Sequence, residues 1–123
     1  MRKQYFFRPS PHGLLAWDVD RLIALSAGLP RRWVPLEQIR ELDAPFTGED
    51  EILTWRGLVF HVGLMDAADL AYPIILAADG TVMDGMHRVA EVLRRGGGEI
   101  EAVQFECDPP PDHRGLGPDA LPY

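Results

Sequence analysis

The sequence predicts a small α/β or α+β domain with a mixed sheet, and three observations carry that prediction. Short apolar runs of strand length alternate with segments whose apolar residues recur at three- and four-residue spacing. The pair Asp79-Gly80 stands between two such runs, the pattern of a tight hairpin. The chain has 123 residues, 46% hydrophobic and 25% charged, enough for one core and one domain.

Taken in order, "AWDVDRLIALSAGLP" reads as a short helix, with Asp18 as its N-cap. Leu22, Ile23 and Leu25 form its apolar side, and Gly28 with Pro30 ends it. "RRWVPLEQIREL" reads as a strand from Trp33 to Leu36 running into a helical turn from Glu37 to Leu42. "DAPFTGEDEIL", a loop with Pro, Gly and four acids, reads as a solvated connection, with a mobile flap as the alternative. A helix capped by Thr54 follows, in which Trp55, Leu58, Val59, Val62 and Met65 are expected to form a core stripe. Ile74 to Ala77 and Thr81 to Met83 are the strands of the hairpin. "GMHRVAEVLRRGGG" is a helix with Val89, Val92 and Leu93 facing inward, stopped by its glycines. "EIEAVQFEC" is the last strand. The chain thus divides into an N-terminal segment and helix (1–31), a core (32–106) and a Pro/Gly-rich tail (107–123). The tail is either mobile or an arm over the domain, and Leu121 and Tyr123 favour docking.

Composition narrows the function classes. Net charge is −7, and eleven of the twelve cationic residues are Arg, with Lys3 the exception. That balance disfavours non-specific nucleic-acid binding, which works by neutralising phosphates. One cysteine, Cys107, leaves no internal disulfide, so a reducing compartment is expected. No stretch has the ~18 apolar residues of a membrane span, and "MRKQYFFRPSPHG" lacks a signal peptide's apolar region. The cytoplasm is the expected location. The histidines, His12, His61, His87 and His113, are scattered along the chain and outline no metal framework.

The chemistry concentrates in "MDGMHR", residues 83 to 88. Asp84 stands where a strand becomes a helix and is suited to N-capping through the amides of Met86 or His87. Gly85 permits a sharp turn and close approach of a ligand. The free amides of a helix start, with the helix dipole, favour an anion. Arg88 is then placed to clamp a phosphate or carboxylate, and His87 to donate a hydrogen bond or move a proton. Asp84 would repel a bare phosphate, so it fits better with Mg²⁺ or as a base for a hydroxyl substrate. The bland alternative is helix capping by Asp84, a surface ion pair at Arg88 and a solvated His87.

The run "VPLEQIREL … YPIILAADGTVMDGMHRVAEVLRRGGGEIEAVQF", roughly residues 32 to 105, resembles the ParB-like/sulfiredoxin superfamily. The likeness is strongest from Tyr72 to Phe105. Asp84-Gly85-Met86-His87-Arg88 stands where that superfamily carries its Gly-containing phosphate-binding helix start, and it is similar to the Asp-Gly-His-His-Arg motif of ADP-dependent free serine kinases. Met86 occupies the place of the sulfiredoxin cysteine, and a thioether cannot supply thiolate chemistry. No helix-turn-helix of the ParB kind follows the module in this sequence.

The resemblance implies a ParB/sulfiredoxin-like fold that binds phosphate or a nucleotide, with Mg²⁺ carried by the nucleotide. Gly85, Met86, His87 and Arg88 would hold the phosphate, and Asp84 and His87 would serve catalysis. A second carboxylate is needed to activate a hydroxyl, and Glu41, Asp43 and Glu37 are its candidates. His61 is a further candidate, on a helix that can border the pocket. The expected activity is that of a small-molecule kinase or nucleotide hydrolase. The alternative is a non-catalytic ligand sensor or protein-interaction module, using the acids Glu49 to Glu51 and the tail. A ParB-like DNA-binding or nuclease role ranks third.

Overall fold

A computed structural model describes residues 3–46 and 53–123. Its elements run β1 (Tyr5–Ser10), β2 (Gly13–Asp18), α1 (Val19–Ser26), β3 (Arg32–Pro35), α2 (Trp55–Asp66), β4 (Ile74–Leu76), β5 (Val82–Asp84), α3 (Met86–Arg94), β6 (Glu99–Gln104) and β7 (His113–Arg114). Short 3₁₀ turns at Leu36–Gln38, Arg40–Asp43 and Pro118–Ala120 complete the chain. Among the described residues, three helices and two sheets with antiparallel and parallel pairing make this an α+β fold, as the sequence predicts.

The central sheet has the order β3-β6-β4-β5. β6 pairs antiparallel with β3 (Val34 opposite Ile100) and parallel with β4 (Ile74 opposite Ala102). The inner strand β4 is an unbroken apolar run buried on both faces, whereas β3 and β6 carry charged residues at exposed positions. Successive side chains alternate between two cores. On one face Val34, Ile74, Leu76, Val82, Ile100 and Ala102 pack with Leu36 and Ile39 of the 3₁₀ segment and Val89 of α3. On the other, Ile75, Ala77, Met83, Val103 and Phe105 pack with Trp17 of β2 and Leu22 of α1.

The second sheet, β1-β2-β7, is where the structure departs most from the sequence reading. Residues 5–18 form a hairpin turned at Pro11-His12. Trp17, assigned by pattern to the following helix, is a strand residue buried to 2% exposure. Its indole Nε1 donates to the Pro109 carbonyl at 2.7 Å. The tail is an arm laid over this sheet: β7 pairs with β2, and Leu121 is buried. Docking of Leu121 is thus as expected.

Four further expectations need correction. In α1, capped by Asp18 at the amide of Asp20 (2.9 Å), Leu22 is buried but Ile23 and Leu25 are exposed. The helix inserts Val19, Leu22 and Ser26, a stripe one residue wide. The 78–81 connection is not a two-residue hairpin. Ala77 and Thr81 close a three-residue loop (amide to carbonyl 2.8 Å) with Gly80 at φ +89°, and the β4–β5 pairing shifts register between Ile75 and Leu76. In α3, Leu93 is exposed, because Val89 and Val92 already meet the sheet. Most importantly, no residue of α2 is buried, although Thr54 caps it as expected. The sheet face nearest α2 is covered by α3 and the 3₁₀ segment, so α2 lies outside α3 and its apolar stripe finds no second layer. The acids Glu49 to Glu51 lie outside the described residues.

Candidate functional site

The β5–α3 junction is built around Gly85. It is the N-cap of α3, at φ 111° and ψ 19°, a left-handed conformation that suits glycine. A Cβ there would fall 2.6 Å from Ile74 Cγ2 and 3.0 Å from Arg88 Nη2. Gly85 therefore serves both the turn and the close approach. No side chain caps the first turn of α3.

Asp84 is not the N-cap. Its Oδ2 accepts from Arg88 Nη2 at 2.7 Å, while Arg88 Nη1 donates to the carbonyls of Tyr72 and Pro73, both at 3.2 Å. The i,i+4 spacing across the helix start brings the two side chains together, and both are largely buried. The pair ties α3 to the segment entering β4. It also offsets the Asp84 charge that would otherwise oppose an anion at the helix start.

Two cavities meet at Met86 and His87. The first, of about 450 Å³, is walled by Leu42, Phe46, Met65 and Met86 and carries Glu41, His61 and His87. The second, of about 470 Å³, opens at the start of α3 and is bordered by Lys3, Tyr5, Asp84, Gly85, His87 and Tyr123. His61 and His87 stand between α2 and α3 with Nδ1 and Nε2 2.9 Å apart, so one donates and the other accepts. Burial holds the His87 imidazole below its usual pKa, the neighbouring His61 adds to this, and the Asp84 carboxylate opposes it. Phe46 closes on His61 edge-on, with ring centroids 4.7 Å apart.

Glu41 is the carboxylate that reaches this centre. Its Oε1 accepts from the Val82 amide at 3.2 Å, and its Oε2 is shielded from water with no hydrogen-bond partner among the described residues. Asp43 and Glu37 are exposed and border neither cavity. Among the described residues, no three His, Cys, Asp or Glu are grouped to hold a metal ion. No helix among them is long and apolar enough to cross a membrane.

The structure thus gathers Asp84, Gly85, Met86, His87, Arg88, Glu41 and His61 and leaves Asp43 and Glu37 apart. The pairing of two histidines separated by 26 positions is the part that sequence reasoning missed. Lys3, Tyr5 and Tyr123 were missed as well, because they reach the second cavity only through the hairpin and the arm. The aromatic and apolar clusters of "YFFRPS" and "GLLAWD", of strand length and flanking a Pro-His turn, were the available signal for that hairpin. No family model, curated protein or solved structure matches the chain.

Proposed function

We propose that this protein binds a phosphate-bearing small molecule, in particular a nucleotide, across the start of α3, within a ParB/sulfiredoxin-like core. The observation that carries the reading is the helix start itself. A glycine N-cap leaves the first amides of α3 without a side-chain partner, and they open into a cavity. The phosphate group would sit on the amides of Met86 and His87, with Lys3 at the rim. The rest of the ligand would occupy the apolar cavity walled by Leu42, Phe46 and Met65. Mg²⁺ would arrive with the nucleotide. Arg88 acts as a positioning residue, since its guanidinium already holds Asp84 and two carbonyls.

Catalysis in this reading is phosphoryl transfer to a hydroxyl or to water. Glu41 takes the proton of the attacking oxygen as its bond to phosphorus forms and the bond to the leaving oxygen breaks. His87, hydrogen-bonded to His61, donates a hydrogen bond to the leaving oxygen, which departs as an anion. A purely non-catalytic interaction role is favoured by one separate observation, the exposed face of α2.

The test is thermal unfolding with ATP, ADP, CTP, GTP and pyrophosphate, with and without Mg²⁺. A ligand at 100 times its Kd adds about 2.7 kcal/mol, or roughly 10 °C for a domain of this size. The shift should shrink in His87→Ala. In Glu41→Gln the shift should persist while product formation stops. No shift with any of the five overturns the reading.

A further inference from the structure

We propose that this chain forms a twofold dimer through the outward face of α2, with the two helices antiparallel. At 100° per residue, Trp55, Arg56, Val59, Phe60, Gly63 and Asp66 lie on one side of the helix. His61 and Met65, on the other, border the cavity beside α3. The outward residues are exposed, Trp55 at 84%, Val59 at 69% and Phe60 at 64%. Aromatic side chains carry roughly 150–250 Å² each, so Trp55 and Phe60 alone leave roughly 200–350 Å² of apolar surface in water. Stable dimers take about 800 Å² from each partner, with an apolar centre and a polar rim. This face supplies such a centre.

The occupant is a second copy because the face complements itself. Arg56 and Asp66 stand at opposite ends of it, about 15 Å apart along the axis. A twofold axis through the level of position 61 sets Arg56 against Asp66 of the second copy. The same axis sets Val59 against Gly63 of the second copy. Both pairings share one centre, so a single register satisfies charge and shape together. A Cβ built on Gly63 meets nothing within 4 Å, so the groove beside it is open to the incoming valine. Asp66 already accepts from Arg94 through Oδ1, so the second copy's cation would be taken by Oδ2. An isologous contact counts each pairing twice, which is how a modest face holds a dimer.

Sedimentation equilibrium of the full chain tests this. Wild type is expected at twice the chain mass, with a measurable dissociation constant. Val59→Asp should weaken association at least ~100-fold, because it buries two charges at the centre. Arg56→Asp should weaken it about tenfold and steepen the dependence on salt. Arg56→Asp combined with Asp66→Arg should restore association, since swapping both charges preserves complementarity only with a copy carrying the same swap. Far-ultraviolet circular dichroism confirms that each variant remains folded. A single-chain mass at every attainable concentration overturns the proposal. So does a dimer indifferent to Val59→Asp, or a double swap as weak as Arg56→Asp alone.

Discussion

His61 Nδ1 and His87 Nε2 stand 2.9 Å apart, one on α2 and the other in the first turn of α3. The contact requires at least one neutral ring, because two imidazolium groups would have no acceptor between them. It therefore links the protonation of the site to the packing of α2 on α3.

Stability should fall on mild acidification through His87. Its pKa in the folded chain lies below the unfolded value, chiefly through burial and then through His61. The unfolded chain then binds the proton first, so stability rises with pH across the interval between the two values. The contribution is complete above the unfolded value of about 6.5 and is lost as pH falls through the lower folded value. Burial raises Asp18, but Lys3 Nζ at 3.0 Å and the Asp20 amide outweigh it, and Arg94 and Arg95 hold Glu91 low. These carboxylates act only below about pH 4.5, outside the histidine interval. Urea midpoints between pH 5 and 8 should slope with pH in wild type and flatten in His87→Gln. Equal slopes would remove His87 as the source.

Gly85→Ala should cost about 1–3 kcal/mol from the left-handed backbone alone. The contacts of the new methyl with Ile74 and Arg88 add to that. The lowered melting temperature should be accompanied by loss of any ligand-induced shift, since the first turn of α3 must move. A variant as stable as wild type would show that the junction relaxes without effort.

Arg88→Ala should destabilise by roughly 2–4 kcal/mol, because it strands the part-buried Asp84 carboxylate and Pro73 carbonyl and frees the exposed Tyr72 carbonyl to water. Arg88→Lys should recover only part, since an ammonium cannot reproduce the fork that spans three acceptors. In the double variant Arg88→Met with Asp84→Asn, the loss should be smaller than in Arg88→Ala. A double-mutant cycle in chemical denaturation measures the coupling, and additivity would show that the pair does not act as a unit.

Trp17→Ala should cost about 3–5 kcal/mol through the cavity it leaves between the hairpin and the central sheet. Trp17→Phe should cost less, with the lost bond to Pro109 contributing about 1 kcal/mol. Hydrogen exchange should then quicken in the 108–114 arm first, because that bond tethers it. Unchanged exchange there would show that the arm is held by β2 pairing and by Asp112, which accepts from the Asp18 amide at 2.8 Å.

Local pattern along the chain specifies the α+β class, the helices α1 to α3, the helix caps at Asp18 and Thr54, and the strands of the central sheet. These follow from local pattern: apolar periodicity, and short polar side chains that reach amides two or three residues on. Which apolar faces find a partner depends on how the elements pack. The stripe of α2 has the period of a core helix, yet the sheet face nearest it is taken by α3 and the 3₁₀ segment, so it stays in water. Packing also sets which charges meet. Asp84 prefers the Arg88 guanidinium to the helix amides, because Gly85 turns the chain and carries the carboxylate past the cap position. It selected Glu41 over Asp43 and Glu37, and it paired His61 with His87. Such contacts depend on the crossing of separate elements, and residue spacing along one chain does not encode that crossing.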